Sequence, residues 1–308
     1  MRKKKTRKNS SQVTRKVTEP EPIDDSPVHD NLKHTKLERR RLLNADFSFD
    51  GSSLQLNNFT DSTVNEVVIS ETGTDYLFTL TEGTWDPGGA PNLGIVADGM
   101  GTLSVDRTLA GLVEIIFASD GSAQFDIEFA DFDFVGDITI EQSGAGVNFG
   151  SITQQEGTAF AQVGTLDITA ANVVNLNEAG NNFDIVQIVA TDNITLTDVN
   201  DIDLQSVESS TGSVDVTAAD DVRVGSVTAG TNIDVTAGGS INDLQDDLLV
   251  DLTAGERITL SASVEVGGGV TAGSDIDADE KLELATGSEV VAISETGNVE
   301  LRLSLIHI

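Results

Sequence analysis

The 308-residue chain has no cysteine, which excludes a disulfide framework, a thiolate metal site and a cysteine nucleophile. Its three histidines are His29, His34 and His307, so everything between the second and the third is without imidazole. That removes Ser-His-Asp and Cys-His hydrolysis from the body of the chain and leaves it no imidazole metal ligand. Walker, dinucleotide-binding and zinc motifs are also missing. No apolar run approaches the ~20 residues that cross a bilayer, and the longest candidate, LAGLVEIIFA at 109–118, contains Glu114. Basic residues nearly vanish after the start: residues 1–45 carry 13 Lys/Arg against 6 Asp/Glu, whereas 46–308 carry 5 against 45. Such an acidic body repels phosphates, so no nucleic-acid partner is expected for it. Aromatic residues run out as well, none following Phe183. The opening MRKKKTRKNSSQVTRKVTEPEP passes straight into polar residues, without the apolar core of a cleavable secretory signal.

What is there is repetition. Between Asn193 and Leu244 one phrase returns as NITLT, DIDLQ, SVDVT, DVRVG, NIDVT and SINDL. A β-branched residue stands second in each, and in five of the six another apolar residue stands fourth, the two-fold alternation of a strand with one buried face. Ile194, Val214 and Ile233 are 20 and 19 residues apart, as are Ile202, Val222 and Ile241. Two interleaved strands in coils of about 20 residues predict an all-β fold, a parallel β-helix or β-solenoid. A sandwich of immunoglobulin type would repeat near ~100 residues around buried aromatics, which this stretch lacks.

The pattern divides the chain into three. Residues 1–45 form a basic leader, expected to be disordered. Residues 46–164 are strand-like but irregular and hold 11 of the 12 Phe, the only Trp and the only Tyr; they suit an amino-terminal cap and first coils. Residues 165–308 hold roughly seven regular coils, aromatic-free after Phe183. The recurrent TAG at 228, 236, 253 and 271 is read as a corner, and QDDLLVDL at 245–252 as a loop or enlarged coil. NVELRLSLIHI still alternates where the chain stops, which predicts a truncated solenoid, and LSLIHI resembles translated adapter sequence, so 303–308 carry no functional weight.

Leu37, Glu38, Arg40, Leu42, Leu43, Ala45 and Asp46 in LERRRLLNAD resemble the LEPR/LEDR-type motif near the start of very large repetitive surface proteins of planctomycetes and some other bacteria. Arg39 departs from the Pro or Asp common there. TAG, NIDVTAGG and ERITLSA are similar to repeats of filamentous-haemagglutinin-like adhesins, which are right-handed parallel β-helices. The NPNL and NPNGI motifs of two-partner secretion are not matched, APNLGI at 90–95 being an imperfect echo. The resemblance implies a secreted or surface-attached giant protein, extracellular or at the cell surface.

Carboxylates are the only abundant chemistry. Parallel β-helices include polysaccharide lyases and hydrolases that use clustered Asp beside Arg or Lys. The clusters here are Asp131/Asp133 with Asp137, Asp220/Asp221 near Arg223, and Asp275/Asp277/Asp279 near Lys281. In DFDF, Phe132 and Phe134 take the inward positions, so the acids face out. Asp275, Asp277 and Asp279 begin like an EF-hand loop, although Glu280 replaces the required Gly and Thr286 the closing Glu; they are the calcium candidates, and no other cofactor is expected. Trp85, in TEGTWDPGGAPN, is the candidate sugar platform, its bland alternative being a ring packed on the first coils. The sequence therefore predicts a structural or adhesive stalk without catalysis, meeting an envelope or extracellular polymer or another cell. A carbohydrate-active β-helix enzyme is the alternative.

Overall fold

The computed structural model describes residues 44–57, 59, 65–87, 94–99, 101–119, 125–142, 149–245, 251–263, 266–267 and 282–284. The chain divides into two units, Met1–Arg40 and Arg41–Ile308, and every described residue lies in the second. The basic leader, most of the LERRRLLNAD motif and the Asp275/Asp277/Asp279 group fall outside the described residues. Among those described there is no helix, hence none long and apolar enough to cross a membrane.

Parallel strands stack into a β-solenoid of about six turns. On one face Ile127, Ile152, Val174, Ile194, Val214, Ile233 and Ile258 lie directly one above another, each step one turn of the chain. The six steps span 131 residues, roughly 22 per coil, and range from 19 to 25. All seven side chains point inward and are at most 4% exposed. Burying a side chain of this size contributes about 1.5–3 kcal/mol. The column repeats in every coil, which makes it the main source of cohesion.

A coil has three faces, where alternation in the sequence announces two. The first is built from 202–204, Val222–Val224 and Ile241–Asp243. The second is built from 207–209, Val227–Ala229 and Leu252–Ala254, and the third from Val214–Ala218, Asn232–Ala237 and Arg257–Ala262. Second-face strands such as VTA and LTA are three residues long, too short for alternation to stand out. For the same reason TAG is not simply a corner. Its Thr-Ala belongs to the strand, and Ala229, Ala237 and Ala254 are buried where the bore narrows toward the bend, leaving room for a methyl group. QDDLLVDL enlarges a coil: Leu252 stacks on Val227 25 residues earlier.

Earlier coils are wider because rings fill them. Phe129 stacks on Phe160 at 4.1 Å and 10°, Phe160 meets Phe183 edge-on at 5.3 Å, and Phe125 lies 4.1 Å from Phe59. Toward the amino terminus two faces are continued by antiparallel strands. The second runs on through Ser53–Asn57 to Asn44–Phe49, and the third through Asn65–Glu71 and Asp75–Leu80 to Thr102–Asp106. Among the described residues Phe132–Val135 is paired along one edge only, with 160–163.

Candidate functional site: carboxylates at the corners

Most backbone N–H groups at the bends donate to a carbonyl of the neighbouring coil, but some have no such partner, and a group of this kind costs free energy if buried unpaired. Acidic and amide side chains take these protons, reaching from one coil to the next. Asp126 Oδ1 accepts from Ser151 N at 2.6 Å between two paired strands, and at corners Asp131 Oδ1 accepts from Ala159 N at 3.0 Å and Asp137 Oδ1 from Thr165 N at 2.7 Å. Farther along, Asn193 Oδ1 accepts from Ser213 N at 2.9 Å, Asp201 Oδ1 from Asp221 N at 2.9 Å, and Asp221 Oδ1 from Ser240 N at 2.6 Å. Partners are 19 to 28 residues apart, about one coil. The corner carboxylates therefore tie coils together.

The enzyme-like clusters resolve into this pattern. Asp131, Asp137 and Asp221 each hold a backbone N–H, while Asp220 stands exposed at a bend. Asp133 points outward, its carboxylate 3.6 Å from Arg107 and its own N–H donated to Glu71 Oε2 at 3.0 Å. Arg223 pairs not with Asp220 or Asp221 but with Asp203, one coil below. Its Nε lies 2.6 Å from Asp203 Oδ1, close for charge yet not aligned as a hydrogen bond. Among the described residues no three acidic or imidazole side chains converge as metal ligands would.

Trp85 lies in a strand, Thr84–Pro87, beside Asn44–Phe49, and not in an open loop. It is 3% exposed, donates from Nε1 to Phe78 O at 2.8 Å and meets Phe59 edge-on at 6.1 Å. An indole placed this way fills the core and offers no stacking face to a sugar. Sequence reasoning passed over a cluster nearby: Arg107 sits 3.1 Å from Glu71 and over the Tyr76 ring at 5.3 Å. The signal was the scarcity of cations, since 46–308 holds only five.

Several acids are held above their ordinary pKa. Burial is the leading cause for Asp198, outweighing the N–H groups of Phe183 and Asn200 that bind its charged form. Burial also leads for Asp203, against the pull of Arg223 and with Asp184 and Asp201 adding to it, and for Asp215, where Asp234 of the next coil adds. Asp167 and Glu66 are raised by burial too. Such a group binds more protons folded than unfolded, so the stability it contributes is full below the unfolded value and is lost as pH rises through the folded one. Asp50 and Asp106, lowered by Ser and Thr donors, lose their contribution only below 3.8. The melting temperature should accordingly be higher at pH 5 than at pH 7.5 in low salt, measured by circular dichroism. A maximum at pH 8 would contradict this assignment.

A family model described as repeats of unknown function, DUF5649, matches residues 123–190, the first regular coils. No curated protein matches the chain, and no solved structure does. The matched repeat segment and the solenoid together fit a repetitive protein whose coils serve as structural units.

Proposed function

We propose that this chain is a structural stalk segment of a secreted or cell-surface repeat protein, with an adhesive role toward an envelope or extracellular polymer and no catalysis. The observation that carries it is the use of the acids. Asp131, Asp137 and Asp221, the residues with the best enzyme-like spacing, spend their carboxylates on backbone N–H groups of the neighbouring coil. A general acid or nucleophile needs its oxygen facing substrate. The repeat match supports a structural repeat protein, and the resemblance of LERRRLLNAD to giant surface proteins is what favours the location. The acidic exterior keeps such a rod soluble and discourages lateral sticking.

Antibody labelling of intact cells of the source organism tests this reading. Signal on unbroken cells or in the medium is the expected result. Signal that emerges only after lysis would refute the surface location.

A further inference from the structure

Among the described residues the Phe132–Val135 strand is paired along one edge only, with the strand that begins at Phe160, so a step is left beside it where a further strand would pair. Side chains stand in for that strand. Glu71 Oε2 accepts the Asp133 N–H, and Arg107 Nη2 donates to Asp133 O at 3.4 Å. Arg107 is further held by Glu71 at 3.1 Å, by Thr72 O at 3.5 Å and by the Tyr76 ring. What this plug leaves open is a depression of about 600 Å³ between the turn at 73–74, the segment 106–112 and the end of the Phe132–Val135 strand. That volume lies within the range of small-ligand sites.

Its lining has two characters. One wall is apolar, with Tyr76, Leu112 and Val135, and Val135 is 69% exposed. Val135 is the most exposed of the large apolar side chains among the described residues. The other wall is polar, with Thr74, Asp106, Arg107 and Thr108. Asp106 Oδ1 accepts from the N–H and the hydroxyl of Thr108, each at 2.7 Å, which fixes the geometry of that wall. Burial pushes the Tyr76 hydroxyl up and the Thr108 donors hold Asp106 down, so both keep one protonation state near neutrality.

Charge disfavours an anion here, since Arg107 is already paired with Glu71 and Asp133 and Asp106 adds a further negative charge to the lining. A ring with one apolar face and a hydroxylated edge matches both walls. We propose that the step is a binding subsite for a hexose unit of a neutral polysaccharide. This deepens the reading of the chain as a surface stalk by naming the polymer, and it rests on that reading only for where the polymer is encountered.

Co-sedimentation of the full chain with cellulose, chitin and curdlan powders, with heparin-agarose as the anionic control, tests the subsite. Retention on at least one neutral glycan is expected. V135D should reduce it at least fivefold, while V199D, at another exposed valine, should leave it unchanged; both variants should melt within about 2 °C of the parent. Failure to bind any of the three glycans, equal retention of V135D and the parent, or retention on heparin alone would overturn the proposal. Glycan binding by a chain found only inside cells would overturn the surface reading and leave the subsite standing.

Discussion

Alanine in place of Phe160 is expected to destabilise the fold by about 3–5 kcal/mol, the range for emptying a fully buried aromatic site. Phe160 is 0% exposed and joins the aromatic and aliphatic parts of the bore, packed on Phe129 and Phe132 below and Phe183 above. Its N–H is held by Asn181 Oδ1 at 2.9 Å, an amide that also bonds Gln154 and Leu176 O, so the backbone around it cannot readily collapse into the void. A solenoid is stabilised through neighbouring coils, so the loss should be read locally. Hydrogen exchange is expected to rise across 125–190 far more than across 214–262. A uniform rise over both stretches would mean that the coils unfold as one unit.

The second large effect is expected at Gly164. Its φ of +144° is one that side chains rarely adopt, and a Cβ there would come within 2.5 Å of Gly136 O in the coil below. Gly164→Ala therefore combines backbone strain with overpacking against a carbonyl that is held by Gln162 Nε2 at 2.7 Å, together about 2–5 kcal/mol. Gly157→Ala is the matched control. Its φ of +77° is also left-handed, yet a Cβ would meet nothing within 4 Å. If thermal melts show the two variants equally destabilised, crowding between coils is not what fixes glycine at 164.

The third-face ladder was legible because its strands are five or six residues long, enough for Ile194/Leu196, Val214/Val216 and Ile233/Val235 to reveal a period of two and then a period near 20. The second face was hidden because a strand such as Val227–Ala229 exposes one residue between two buried ones and then ends. The inward set of Phe132 and Phe134 was readable from alternation, and both are buried. The use of the acids was not. An Asp at a corner and an Asp in a cleft look alike in sequence, and what separates Asp221 from a catalytic residue is a backbone N–H contributed 19 residues later. For Trp85 the sequence offered a sugar platform or a ring packed on the first coils, and the structure shows the packed ring, enclosed by the nearby Phe78 carbonyl and by the Phe59 ring farther back in the chain. The step at Arg107 arises because Phe132–Val135 has no described strand along its second edge, a property of topology that no local pattern carries.

The roughly 22-residue circumference has a mechanical consequence. A stacked coil adds only ~4.8 Å along the axis, but peeled off under tension it pays out about 75 Å of extended chain at ~3.4 Å per residue. Length thus increases some fifteenfold per coil released. Because each coil is held mainly by the next, with its carboxylate caps spanning one interface at a time, release proceeds coil by coil from an end. In the stalk role proposed above, such a stack would lengthen in steps under load and dissipate the pull.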